Sequence, residues 1–561
     1  MKEYSVSFKN PRETEKTLDY INSLCADGLC ALPAEEKEKE LTFRAENSLS
    51  ELLSACETVR DTKVFTVAAE DLADRLKKLY ARIMTGRYFT VLNDADPARI
   101  LLSEGRCFFT DFSQAGEGEP ATDAASFTAH VLISGKPFTP FKMRLAEELI
   151  SVFTKKLNLS RGEILRKLYE RLKKLAAKTG VMADCLKTVN AFVKKIVICP
   201  DSFKGTLTSG QVCAAVETAF AKEFPNAVIE SITAADGGEG TLECYMAAAG
   251  GKYRTFTVTD ADGRKINAEY LRDENNNLSV IESAKVIGLP MTEIRNPMYT
   301  STYGLGQLIR SRLEQGDRVA LALGGSSTTD GGAGILSALG AVFYGKNGRF
   351  VPTGGTLKDI EQADFSNLIK GETICVCDVE NPFCGPDGAA FVYAPQKGAS
   401  PEEVILLDQG LRHFADILCR ATGRDPTAEK GAGAAGGISG GLWAAAGAPI
   451  RPGAEFLLEA AGFSNKIADA DFVITGEGKL DRTSFSGKLV GFVVKEAAAR
   501  KVPVTAISGV IDDELNNYAE YGLKHAFYTA KPLLSFEELK KTAYEDLVFE
   551  AARIAKEERL F

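Results

Sequence analysis

Two hydrophobic rhythms divide the chain. Up to about residue 193, apolar residues recur mostly at helical spacing. Asn10-Pro11-Arg12-Glu13 reads as an N-cap, a proline at the first helical position and an acid in the first turn, with Leu18, Ile21 and Leu24 following on one stripe. The spacing predicts a second helix over 69–85 and short strands at Tyr88–Leu92 and Arg106–Phe112, with a loop over 114–125. Ser160-Arg-Gly-Glu163 reads as a capping box for a helix with Leu165, Leu168, Leu172 and Leu175 on its apolar stripe. Arg166, Lys167, Arg171, Lys173, Lys174 and Lys178 fall opposite and read as a solvated face.

From Lys194 the rhythm changes. Short, wholly apolar runs alternate with amphipathic stretches: a strand at 195–200, a helix at Ser209–Glu223, a strand at 471–475, a helix at 489–500 and a strand at 502–508. Strands apolar on both faces between helices predict a parallel sheet covered on both sides. In such sheets ligands bind beyond the carboxyl ends of the strands, so the loops at 201–206 and 476–488 are expected to flank one cleft. The less regular stretch between them reads as an insertion. The expected organisation is an α+β region at 1–193, a parallel-sheet domain from 194–255 and 441–561, and an inserted mixed α/β domain at 256–440.

Composition narrows the chemistry. The 561 residues allow two to four domains, and a net charge of −9 disfavours nucleic acid and anionic membrane as partners. No stretch approaches a membrane span and no apolar segment opens the chain, so a cytoplasmic protein with reduced cysteines is expected. Only three histidines occur, His130, His413 and His525, without metal-ligand spacing, which leaves acid–base work to Asp, Glu or Lys. Residues 1–193 hold 8 of the 51 glycines, so chemistry that needs close backbone approach is sought after residue 193.

Five loops follow predicted strands there. Asp201-Ser-Phe-Lys-Gly-Thr206 sets a lysine before a helix N-terminus, where backbone N–H groups and a cation suit phosphate. Ala235-Asp-Gly-Gly-Glu-Gly-Thr241 places two acids among glycines, fit to accept a proton or hold Mg²⁺. Gly324-Gly-Ser-Ser-Thr-Thr-Asp-Gly-Gly-Ala-Gly334 offers amides and hydroxyls to phosphate oxygens, with Gly324, Gly325, Ser326 and Ser327 as the candidate cradle and Asp330 as its acid. Cys377-Asp-Val-Glu-Asn-Pro382 ends a strand on Asp378, a position for a metal or a base. Gly476-Glu-Gly-Lys-Leu-Asp-Arg482 with Ser486-Gly-Lys488 adds acids and cations. Three formal motifs fail on context. Gly431-Ala-Gly-Ala-Ala-Gly436 and Gly437-Ile-Ser-Gly-Gly441 lack a preceding strand, and Ser486-Gly-Lys488 lacks the earlier glycine of a Walker loop. An acidic, lysine-bearing, glycine-lined cleft without histidine suits phosphoryl transfer, in which positioning, Mg²⁺ and cations do most of the work.

Eight motifs in order, DSFKGT, ADGGEGT, RNP (295–297), GGSSTTDGGAG, CDVENP, APQKGA (394–399), GAGAAGG (431–437) and GEGKLD with SGK, resemble the bacterial glycerate kinase family from Lys194 to the C-terminus. The resemblance implies a Rossmann or flavodoxin-like domain with an inserted α/β domain, and ATP-dependent phosphorylation of D-glycerate, typically to 2-phosphoglycerate, in the cleft between them. It implies Lys204, Asp236, Asp378 and Asp330 as catalytic residues. It also implies Ser202, Glu239, Arg295, Asn381, Asp481 and Lys488 as substrate contacts, ATP and Mg²⁺ as cofactors, and small molecules as partners. Asp236 and Asp378 share the roles of base and Mg²⁺ ligand; the base is expected at Asp236 and the metal at Asp378. Arg295 offers a planar fork to the glycerate carboxylate. Thr329, Lys479 and Thr483 depart from the family pattern and bear on substrate preference. The alternatives are a kinase for another small hydroxy acid, a non-catalytic glycerate sensor, a dinucleotide oxidoreductase and a serine hydrolase. Residues 1–193 resemble no family.

Overall fold

The computed structural model describes residues 1–25, 32–81, 92–104, 106–112, 114–115, 118–179, 185–235, 237–238, 240–293, 295–515, 517–529 and 535–556. Asp236 and Glu239 lie outside these, as does all but Leu92 of the strand expected at 88–92.

The apolar runs after Lys194 form a five-stranded, all-parallel sheet. Across the sheet the strands are Val228–Ser231, Lys195–Ile198, Phe472–Thr475, Val504–Ser508 and His525–Tyr528. Counted along the chain this order is 2-1-3-4-5, that of a doubly wound sheet whose switch point lies between the first and third strands. Both faces are buried, which is why the strands read as unbroken apolar runs. Ile196, Ile198, Phe472 and Ile474 pack under helices Ser209–Glu223 and Phe536–Lys556, and Val197, Val473 and Val504 pack under Leu489–Ala499 on the other side.

Between the second and third strands the chain builds a six-stranded mixed sheet. Lys252–Thr259, Lys265–Asp273 and Leu278–Glu282 are antiparallel; Arg318–Ala322, Thr373–Val376 and Ile450–Arg451 continue it in parallel. Its strands therefore run past both ends of the 256–440 segment expected for the insertion. Helices Thr241–Ala249 and Gly453–Ala460 cover one face, with Tyr245 stacked on Phe456 at 5.6 Å.

The N-terminal region carries two small antiparallel sheets and six described α-helices before residue 180. Pro120–Ile133 is helical, so the loop expected over 114–125 ends early: Pro120 occupies the first helical turn, where its missing N–H costs nothing. The basic face of Arg161–Thr179 is not simply solvated. Arg166 pairs with Glu119 and Glu170, and Arg171 with Asp94. This helix begins against the five-stranded sheet. Arg161 Nε stands 3.0 Å from Asp471 Oδ1, while Asp471 Oδ2 accepts the backbone N–H groups of Lys194 and Lys195 at 2.5 and 3.0 Å. Gly162 has no room for a side chain, since a Cβ would lie 1.6 Å from the Asp471 carbonyl oxygen.

Candidate active site

The carboxyl ends of both parallel sets of strands open onto one cavity of about 1590 Å³. Each lining loop is fixed by the strand it leaves. After Lys195–Ile198 the chain turns through Phe203-Lys204-Gly205-Thr206, where Thr206 N–H donates to the Phe203 carbonyl at 2.8 Å and Gly205 takes φ 81°. Lys204 is thereby held out from the turn and exposed, and Thr208 and Gln211 cap the following helix reciprocally. Asp201 N–H donates to the Gly476 carbonyl at 2.8 Å, so the loops after the first and third strands meet at the switch point. A Cβ on Gly478 would touch Lys204 N at 3.3 Å.

Ser202, Lys204, Gly324, Gly325, Asp378, Asp481 and Lys488 all line this cavity. Asp378 leaves Thr373–Val376 of the second sheet half-buried, one oxygen accepting from Gly453 N–H at 2.6 Å at the start of Gly453–Ala460. Gly237 packs beside it, its Cβ position 3.1 Å from the Val376 carbonyl oxygen, which brings the acidic loop against the strand that carries Asp378. Glu477 also lines the cavity, with Lys488 Nζ 3.9 Å from its Oε2; burial raises the Glu477 pKa, opposed by Ser484 and Lys488. Burial acts in the same direction on Asp481, but hydrogen bonds from Thr483 and the charges of Lys488 and Lys479 bring it below the usual value. Lys479 itself is paired with Asp512 at 2.7 Å.

The other predicted residues that are described sit elsewhere, while Asp236 and Glu239 lie outside the described residues. Asp330 is fully buried behind the glycine loop and accepts from Thr302 N–H and Oγ1–H, both at 2.8 Å, and from Gly332 and Gly334 N–H. It acts as an anchor for its own loop. Ser327 donates its hydroxyl to the Ile287 carbonyl, and Ser326 Oγ accepts from Lys397 Nζ at 3.2 Å. Both serines are buried off the cavity lining. Three of the loop's five glycines serve packing: Gly331 lies against Phe414, Gly332 against Ile438 and Gly334 against Thr302. The GAGAAGG motif is their counterpart, for Gly436 approaches the Thr328 carbonyl and accepts from Gly331 N–H at 3.0 Å. Asn381 spends its amide on the Asp387 carbonyl and Tyr393 OH, and Arg295 is exposed on a segment packed on Gly398; neither lines the cavity. Thr329 Oγ1 is buried with no hydrogen-bond partner among the described residues.

Asp201, Glu477 and Lys397 escaped the residue-level reading although each lies inside a quoted motif. Lys397 is 3% exposed, holds Ser326 and the Thr328 carbonyl, and burial pushes its pKa down to about 7 against the opposing charge of Asp330. The signal was a lysine in a Pro-Gln-Lys-Gly turn with no acid beside it in sequence. Thr302, which satisfies Asp330 twice, carries no sequence signal.

The sequence model of the glycerate kinase family matches residues 196–558. A glycerate kinase from Halalkalibacterium halodurans is 40% identical over 366 residues, which are 64% of this chain and 96% of the relative. Glycerate 2-kinase of Escherichia coli is 37% identical over 369 residues, 64% of this chain and 97% of the relative. The crystal structure of a protein assigned as glycerate kinase 2 from Salmonella typhimurium superposes with a TM-score of 0.56 at 35% identity, covering 65% of this chain and 97% of that one. Residues 1–195 lie outside the family match, and over the remainder the chain belongs to the glycerate kinase family.

Proposed function

We propose that the cavity binds ATP and D-glycerate and transfers the γ-phosphoryl group to a glycerate hydroxyl, giving 2-phosphoglycerate and ADP. The observation that carries this reading is the convergence of a lysine loop, a glycine loop and a strand-end aspartate from two sheets on one cavity. In the same reading the five-stranded sheet forms a flavodoxin-like domain, the Lys252–Arg451 sheet an inserted domain, and the site the cleft between them.

Lys204, exposed at a turn before a helix N-terminus, neutralises charge on the transferring phosphoryl group. Gly324 and Gly325 present backbone to the phosphates, the second in a left-handed conformation (φ 67°). Asp330 and Lys397 act through that loop by fixing its shape. Ser202, Asp481 and Lys488 face the same space and orient the acceptor. Asp236 takes the hydroxyl proton as oxygen attacks phosphorus and the ADP oxygen departs; its adjacent glycine and the position of Gly237 beside the Asp378 strand support this assignment.

Mg²⁺ fits the donor set. The cavity presents the oxygens of Asp201, Asp378, Glu477 and Asp481, whereas no cluster of three or more His, Cys, Asp or Glu that could cage a metal occurs among the described residues. That pattern suits an ion held by one or two carboxylates and substrate phosphates. Asp378 would hold it, and when bound it would neutralise charge on the phosphate oxygens. Among the described residues no helix is long and apolar enough to cross a membrane. We read the protein as a cytoplasmic enzyme of small molecules.

The test is turnover with ATP, Mg²⁺ and a panel of hydroxy acids, followed by phosphorus NMR of the product. D-Glycerate is expected to be the best acceptor, with phosphate on the 2-oxygen. No ATP-dependent turnover with any hydroxy acid overturns the activity; a 3-phosphate overturns the regiochemistry; a different best acceptor overturns the substrate.

A further inference from the structure

The N-terminal region carries a second phosphoryl-transfer pattern that the glycerate reading does not use. Asp94 is followed five residues later by Arg99. The hairpin Ile100–Ser103 and Arg106–Phe109 comes next, and then Asp111-Phe112. In protein kinases a catalytic-loop Asp accepts the substrate proton. An Asn five residues on binds Mg²⁺, and the Asp of a following Asp-Phe-Gly binds Mg²⁺ as well. The spacing of the acids agrees here, while Arg99 replaces the amide, Ser113 the glycine after Asp-Phe, and Leu92-Asn93 the His-Arg pair before the first Asp.

The structure holds this loop as a site would need. Asp123, fully buried on helix Pro120–Ile133, accepts the N–H groups of Leu92 and Asn93 at 2.9 and 2.8 Å and the hydroxyl of Tyr80 at 2.9 Å. These bonds fix the backbone immediately before Asp94, with Asn93 in the left-handed region at φ 63°. Thr110 Oγ1 donates to the Arg99 carbonyl at 2.6 Å and ties the two halves together.

Both carboxylates are already matched by protein cations. Arg99 ion-pairs with Asp111, whose side chain is 10% exposed. Asp94 Oδ1 accepts from His130 Nε2 at 2.8 Å and Ser126 Oγ at 3.3 Å, and is paired with Arg171. Burial would raise the Asp94 pKa, yet His130 and Arg171 hold it well below the usual carboxylate range, which makes it a weak base. Residues 1–193 also lack the G-x-G-x-x-G of a kinase phosphate loop.

We propose that Asp94, Arg99 and Asp111 keep the arrangement of a protein-kinase-type catalytic loop in which Arg99 occupies the place of the metal, so that this trio binds no divalent cation and transfers no phosphate. The inference does not depend on the glycerate reading.

The test counts Mn²⁺ bound per chain by electron paramagnetic resonance, on the full-length protein with a non-hydrolysable ATP analogue. Arg99→Asn should bind one Mn²⁺ more than wild type, Asp111→Asn in that background should remove it, and glycerate turnover should stay within about twofold throughout. If Asp111→Asn alone costs the wild type a bound Mn²⁺, the native loop holds metal and the proposal fails. If folded Arg99→Asn gains none, Arg99 does not stand in the metal's place and the proposal fails equally. Arg99→Gln, which keeps more of the side-chain stem, gives the same reading should the asparagine variant not fold.

Discussion

The two ends of the five-stranded sheet are built on opposite principles. At the carboxyl ends, acids and lysines from three loops face a shared cavity, with Lys204 exposed on its turn and Asp378 half-buried. At the amino end, Asp471 is fully buried and compensated on both oxygens: Arg161 ion-pairs with one, two backbone N–H groups donate to the other, and Gly162 is in backbone contact. One end leaves charge accessible to a ligand; the other uses charge to fasten the N-terminal region. Function and attachment can therefore be altered separately, even though a single hydrophobic cluster runs through both.

The largest separation is expected at the fastened end. Arg161→Ala leaves the buried Asp471 without its cation and should cost about 3–5 kcal/mol of unfolding free energy, with kcat unchanged. Urea unfolding beside a glycerate assay checks both; a fall in kcat with stability intact would mean that the amino end communicates with the cavity. At the open end the reverse is expected. Lys204→Ala should lower kcat by about 10²–10³-fold, roughly 2.7–4 kcal/mol, while the unfolding midpoint stays in place. A near-wild-type kcat would make the turn merely structural. A pH-dependent effect should come from between, at the glycine loop. Lys397 is neutral in the folded chain above about pH 7, but takes up its proton in the unfolded chain up to about pH 10.5. The unfolded state then binds more protons across that window, so this group makes stability rise with pH. In Lys397→Met the rise from pH 7 to pH 10 should be shallower than in wild type, and parallel curves would show that Lys397 stays charged when folded.

The same contrast explains what could be read without coordinates. Strands buried on both faces announce themselves as runs such as Ile196-Val197-Ile198, and Ser160 with Glu163 marks a helix start; these are local signals. The loops that line the cavity were legible because each follows such a strand. Asp330 was misplaced toward the chemistry because an acid among glycines looks the same in sequence whether it faces a ligand or accepts the N–H groups of its own loop. What distinguishes the two is Thr302, 28 residues away. The glycines of 324–334 misled likewise: Phe414 and Ile438, distant in sequence, impose the close approach that only a missing side chain permits. The Arg161–Asp471 fastening spans 310 positions and has no local signature at all.

Strand order also sets an order in time. Lys195–Ile198 hydrogen-bonds to Phe472–Thr475, its neighbour in the sheet, only after the whole six-stranded sheet has been made. On a ribosome adding roughly 5–20 residues per second, the first strand waits roughly 14–55 seconds for its partner. Throughout that interval its apolar edge is exposed beside an N-terminal region that is already complete. Long-range parallel pairing is intrinsically slow, and unpaired edges recruit other chains. Nascent chains stalled before residue 471 are the species in which aggregation of this protein should begin.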